Sequence, residues 1–173
     1  MAKVRVGIDV GKDGGIAVFV DDELKDYCVT PNIGTEIDLK HISEILNNYC
    51  PIEDDYHIVV EDVHALFGSS AKATFNFGWS LGILEGAISA LSIPYTKIAP
   101  KEWQKELWKG VTTIYKPSKG ESKRRSVDTK ATSLLAAQRL FPSIDFRKSE
   151  RAKKAHDGIV DAILLAEYCR RKF

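Results

Sequence analysis

The sequence predicts an α/β fold: a mixed five-stranded sheet with helices on both faces. Three observations carry this expectation. Three strand-like segments follow one another at the start, over about residues 3–9, 14–20 and 23–29, separated by turn residues. Strand and helix patterns then alternate through about residue 107. Two further helical segments, at about 126–140 and 155–171, follow with no strand between them. Hairpin-connected strands followed by strand–helix alternation give a mixed sheet clad by helices. At 173 residues the chain fits one domain with a real core.

Taken in order, Val4 to Asp9 is an apolar run that meets Gly11, and Gly14-Gly15-Ile16-Ala17-Val18-Phe19-Val20 reads as a second strand. Asp21-Asp22 is the turn to a third. Between Thr35 and Tyr49, apolar residues at 37, 39, 42, 45, 46 and 49 follow a helical period. Residues 57–62 form a Val/Ile-rich strand of the buried type, and a long helix spans about 70–92 with Ser69 or Ser70 as its N-cap. Residues 93–99 form a fifth strand, after which Pro100 opens a short helix to about Leu107. Residues 109–125 hold breakers and many cations with little periodicity, the pattern of a loop.

Composition excludes several classes. Hydrophobic content of 44% and charged content of 28% are ordinary for a soluble globular protein. No uncharged apolar run is long enough for a transmembrane helix. The first residues run directly into a strand and lack a signal-peptide core. Three widely spaced cysteines without metal-binding spacing read as free thiols in a reducing cytosol, so a cytoplasmic location is expected. The net charge of +1 does not announce a nucleic-acid partner, so the distribution of charge matters more.

Four carboxylates organise the chemistry. Asp9 and Glu61 each end an apolar strand, and Asp157 and Asp161 lie four residues apart on one face of the last helix. An isolated acid at a strand end is ordinarily a turn or cap residue, and acids near a helix start are favoured by the dipole. Here Ile159, Val160, Ala162, Ile163, Leu164 and Leu165 surround Asp161, so its flank is core-like. Four acids drawn together from separate elements need strong positive charge between them. Oxygen-only donors suit Mg²⁺, with Mn²⁺ as a substitute. Two ions about 3.5–4 Å apart would hydrolyse a phosphodiester, leaving a 5′-phosphate and a 3′-hydroxyl. Asp9-Val10-Gly11 with Gly14-Gly15 also fits the first phosphate loop of actin-like kinases, but no second such loop follows and the spacing is wrong for a Walker loop.

The ordered segments Gly7-Ile8-Asp9-Val10-Gly11, Gly14-Gly15-Ile16-Ala17, Val59-Val60-Glu61-Asp62-Val63, Ile98-Ala99-Pro100-Lys101-Glu102-Trp103 and Lys153-Lys154-Ala155-His156-Asp157-Gly158-Ile159-Val160-Asp161-Ala162 span nearly the whole chain. Together they resemble the RuvC family of Holliday-junction resolvases, above all its compact phage-type members, within the ribonuclease-H-like superfamily. The resemblance implies a homodimer with two Mg²⁺ ions in each active site, each subunit nicking one of two opposed strands of a four-way DNA junction. It implies Asp9, Glu61, Asp157 and Asp161 as catalytic metal ligands. It also implies Lys154 as a catalytic auxiliary, because related enzymes carry a Lys or His just before this helix facing the scissile phosphate. One position departs from the pattern: bacterial relatives place a ligand three residues before the last aspartate, where this chain has Gly158. Asp157 then serves instead, as in mitochondrial and poxvirus-type relatives. His156 is left as a ligand, a general base or a helix-start residue, and the last is favoured because a helix turns it about 100° from Asp157.

Two basic stretches, 109–130 and 147–154, flank elements of this site and are candidate phosphate contacts, with Lys123, Arg124 and Arg125 foremost. Phe67, in the loop after Glu61, is the candidate wedge for opening a junction core. Lys101 and Lys105 are candidate backbone contacts near the cut. Gly78, Gly82 and Gly86, at four-residue steps in the long helix, imply close packing, either on the sheet or between two subunits. Alternative readings are a broader endonuclease for forks and flaps, a non-catalytic junction-binding protein, and an RNA–DNA hybrid nuclease of the same fold.

Overall fold

A computed structural model describes residues 1–34, 36–50, 55–62, 70–117 and 125–173. Its elements run β1 (Lys3–Asp9), β2 (Gly15–Val20), β3 (Glu23–Val29), β4 (Asn32–Ile33), β5 (Glu36–Ile37), α1 (Leu39–Tyr49), β6 (Asp55–Glu61), α2 (Ala71–Ala90), β7 (Tyr95–Ile98), α3 (Pro100–Leu107), α4 (Thr129–Leu140) and α5 (Asp157–Lys172). The main sheet has five strands in the order β3-β2-β1-β6-β7. The first three pair antiparallel, while β6 runs parallel to β1 and β7 parallel to β6. This is the mixed sheet expected.

Strand alternation divides the core in two. Val4, Val6 and Ile8 of β1, with Ile58 and Val60 of β6, pack against Ile42 and Leu46 of α1 and Leu84 and Ile88 of α2. Val59 of β6 points the other way, into a core with α3, α4 and α5. The central helix α5 is buried from Gly158 through Cys169 except at Asp161, because both the sheet and the outer helices cover it. It lies so close to β1 that a Cβ on Gly7 would sit 2.1 Å from the Ala166 nitrogen and 2.4 Å from the Ala162 oxygen. Any side chain at position 7 would therefore push α5 off the sheet. Beside Gly7 on the same strand, the nearly fully buried Arg5 is held by the Asp55 carboxylate at 2.8 Å.

Two helices begin later than their apolar period suggested. Helix α1 starts at Leu39 rather than 35 because Asp38 is its N-cap, accepting from the His41 N–H at 3.1 Å. Helix α4 starts at Thr129 rather than 126 because Asp128 does the same for Ala131 at 3.1 Å. The two-residue ladder β4–β5 has no counterpart in the sequence reading, being too short to leave a period. Ser70 caps α2 as expected, accepting from Ala73 at 3.2 Å. No helix among the described residues is long and apolar enough to cross a membrane.

Candidate active site

The parallel pairing of β1 with β6 aligns Gly7 with Val59 and Ile8 with Val60. One step further along both strands lie Asp9 and Glu61. Both strands end there at the same edge, and alternation turns both acids toward α5, the side that Val59 faces. Asp161, one turn into α5, closes the third side. Burial pushes Asp9 well above the ordinary aspartate range, and the charges of Glu61 and Asp161 push it further. The hydrogen bond between Asp9 and Glu61 raises the pKa of Asp9 further and lowers that of Glu61. Glu61 is itself raised by burial, with that drift opposed by hydrogen bonds from Trp103 and Asp9. Burial, then the charge of Glu61, lifts Asp161 to about 7, against a hydrogen bond from Ser133 that lowers it.

All three acids are thus raised above their ordinary range, first by burial, and the charge of Glu61 adds to the rise at Asp9 and Asp161. Asp157 differs, since about half of its side-chain surface is open to solvent (51%), and it makes an ion pair with Lys130. Lys130 also acts electrostatically on Asp9 and Asp161. Its own pKa is raised, first by the hydrogen bond to Asp157.

Lys130 and Ser133 are three residues apart and share the face of α4 that meets the acids. The buried Thr132 between them ties the preceding loop to the helix, its hydroxyl accepting from the Ile114 N–H at 3.0 Å. On the other side the fully buried Trp103 of α3 donates its indole N–H to Glu61 Oε1 at 3.0 Å. Lys130, Ser133 and Trp103 escape the motif-based reading of the site. Their signal in the sequence is weak: a lysine and a serine at helical spacing, and a tryptophan inside a segment noted only for its resemblance.

The remaining candidates divide. Lys154 is exposed on the segment leading into α5. His156 is the N-cap residue of α5 without a side-chain capping bond, and its buried Nδ1 finds no partner among the described residues. Lys101 and Arg125 are exposed. Lys105 lines a hollow with Glu102, Glu106, Lys109, Tyr168 and Lys172, and Tyr168 lies about 10 Å of helix rise beyond Asp161. Phe67, Lys123 and Arg124 lie outside the described residues.

Gly158 has a steric reason. A Cβ there would lie 2.4 Å from the Asp13 oxygen and 2.4 Å from the Gly14 carbonyl carbon, both in the turn between β1 and β2. The first turn of α5 docks directly on that turn, so a ligand side chain cannot occupy position 158.

Among the described residues no three or more His, Cys, Asp or Glu side chains are arranged so as to hold a metal ion as they stand. What fits a hard cation is the donor chemistry, because oxygen atoms alone converge and Lys130 is the cation that acts on Asp9, Asp157 and Asp161 among the described residues. The three cysteines are free thiols, and burial pushes Cys50 up to about 11 and Cys169 to about 12, far from a reactive thiolate.

No protein-family model matches the chain, and no curated protein matches it. Solved structures do. Thermus thermophilus RuvC in complex with a Holliday junction substrate matches with a TM-score of 0.58 at 15% identity, over 95% of this chain and 90% of that one. Another T. thermophilus RuvC structure matches with a TM-score of 0.57 at 18% identity, over 94% and 90%. The chain therefore has the RuvC fold, the ribonuclease-H-like sheet expected from its order of elements.

Proposed function

We propose that this chain is a metal-dependent endonuclease that resolves four-way DNA junctions by paired symmetric nicks, leaving 5′-phosphate and 3′-hydroxyl ends. The observation that carries the reading is the convergence of Asp9, Glu61 and Asp161 from β1, β6 and α5, each raised in pKa by burial, with Asp9 and Asp161 raised further by their acidic neighbours. Such a cluster costs stability and is explained by a cation it is built to receive. Asp9, Glu61, Asp157 and Asp161 would hold two Mg²⁺ ions, with Mn²⁺ as a substitute. Bound there, the metal would supply an activated water and charge stabilisation for the leaving oxygen.

The chain's own groups then divide the work. Ser133 and Trp103 orient Asp161 and Glu61 from behind. Lys130, with 70% of its side chain exposed, can leave Asp157 for a phosphate when a cation takes its place on the carboxylate. Arg125 and the basic stretch 147–154 would contact the DNA backbone, together with Lys101, Lys123, Arg124 and Lys154. One structure sharing this fold is bound to a Holliday junction, which is the substrate class proposed here.

A junction has two equivalent cut points, so two copies of the chain are required. Among the described residues, a Cβ added at Gly78, Gly82 or Gly86 would meet nothing within 4 Å, so the glycine stripe is not packed on the sheet. It lies on a helix that also exposes Phe75 (68%) and Trp79 (60%), stacked at 6.2 Å. This face of α2 would pack against a second copy. The testing experiment is cleavage of a synthetic four-way junction with Mg²⁺, with forks, flaps and RNA–DNA hybrids alongside. Paired, symmetric, ligatable nicks in the junction support the reading, and inert junctions or preferred cutting of hybrids would reject it.

A further inference from the structure

We infer that Trp103 is a positioning residue, which fixes the orientation of the Glu61 carboxylate through its indole N–H and so sets the site's affinity for its cation. This deepens the proposed function and rests on it. Trp103 is fully buried, among Val59, Ile98, Leu107 and the apolar face of α5. Its N–H is removed from water, and a buried donor left without a partner costs about 1–3 kcal/mol. Its acceptor is Glu61 Oε1 at 3.0 Å, forty-two residues away in sequence.

The bond is asymmetric in what it constrains. Trp103 is wedged in the core, on a helix whose Pro100 start and buried Leu107 hold it in place. Glu61 ends a strand, and its carboxylate can turn about its last bond. The rigid partner therefore orients the rotatable one. With one oxygen engaged by Trp103, the remaining lone pairs are left for Asp9 or for a cation. A purely apolar residue would fill the same space without this effect.

A second tryptophan supplies the control. Trp108, one turn further on, packs against the same core, but its buried Nε1 has no partner among the described residues. Both Trp103→Phe and Trp108→Phe delete an indole N–H and some buried area, whereas the Trp103 variant alone frees Glu61.

The experiment is Mg²⁺ titration calorimetry on the full-length chain and both variants, with NMR of the indole N–H signals of the wild-type protein. Trp103→Phe should weaken Mg²⁺ binding about 10–100-fold and Trp108→Phe by less than about twofold. In the wild-type titration the Trp103 indole signal should move with Mg²⁺ and the Trp108 signal should stay. Equal Mg²⁺ affinity in wild type and Trp103→Phe overturns the inference while leaving the proposed function standing. So does an unmoved Trp103 signal in a wild-type chain that binds Mg²⁺, which needs no variant to fold. A wild-type chain that binds no Mg²⁺ removes the proposed function and the inference together.

Discussion

Replacing Asp161 with Asn should stabilise the metal-free protein, and only at neutral to alkaline pH. Asp161 sits at about 7 in the folded chain against an ordinary 3.8. At 1.36 kcal/mol per pKa unit, the folded state bears ~4 kcal/mol for carrying this charge at pH 8. The sign follows from linkage. A carboxyl raised on folding binds its proton more tightly in the native state, so the penalty is absent below about pH 4. It grows between about pH 4 and pH 7 and is complete above that. Asn keeps the shape and can still accept the Ser133 hydrogen bond, so the packing cost is small. For a chain of 173 residues, ~4 kcal/mol corresponds to about 8–16 °C in melting temperature. The assay is thermal unfolding of wild type and Asp161→Asn in EDTA at pH 4 and pH 8. The gap between the two proteins should be near zero at pH 4 and open in favour of the variant at pH 8. Added Mg²⁺ should then raise the wild-type midpoint alone, by mass action. A gap that does not change with pH would refute the claim that the acids hold one another in strain.

Four further outcomes follow from the same geometry. Lys130→Met should slow single-turnover junction cleavage about 10²-fold while changing junction affinity far less, as expected of a cation acting at the reacting phosphate. Gly158→Ala, measured by urea unfolding, should cost ~1–3 kcal/mol, because its methyl group would meet the Asp13 and Gly14 backbone at 2.4 Å. Charge reversal of Lys123, Arg124 and Arg125 together should weaken DNA binding and flatten its dependence on salt, and an unchanged slope would remove this stretch from the interface. Phe75→Asp with Trp79→Asp should shift the chain toward monomer in sedimentation analysis, because two carboxylates on the exposed face of α2 would be desolvated by a second copy.

The scaffold of the site is legible in the sequence where apolar pattern and chemistry coincide. Asp9 and Glu61 end Val/Ile-rich strands whose parallel pairing follows from the order of elements, and Asp161 interrupts an otherwise buried helix. What the sequence does not show comes from helices packing at long range. Trp103 is forty-two residues from Glu61, and Lys130 is twenty-seven from Asp157. The resemblance points to Lys154, three residues before Asp157, and the fold adds a second lysine, Lys130 of α4, paired with Asp157. Helices α1 and α4 start inside their apolar periods for a related reason. An acid just before an apolar period can extend a helix or cap it, and only its hydrogen bond to the third residue on decides which.

Gly158 links the fold to the unusual spacing of the last two acids. Helix α5 is pressed onto the sheet at both ends of its contact, at Gly7 beside Ala162 and Ala166, and at Gly158 beside the turn after β1. This pressing brings Asp161 within electrostatic reach of Asp9 and Glu61, and it also removes position 158 as a place for a side chain. The fourth acid must then stand one residue earlier, on the solvent side of the first turn, where Asp157 meets Lys130. The site is therefore unequal by construction. Three inward acids have raised pKa values, Asp161 at about 7, while the outward acid is paired with a lysine. Under the proposed function, a cation held between Asp9, Glu61 and Asp161 would compete with a proton on Asp161, whereas one held at Asp157 would compete with Lys130. Occupancy at the inner position should consequently rise steeply with pH, and occupancy at Asp157 should respond instead to the removal of Lys130. Mn²⁺ titrations of wild type and Lys130→Met across pH 6–8.5 separate the two. A single binding event with one pH dependence in both proteins would show that the acids act as one uniform site.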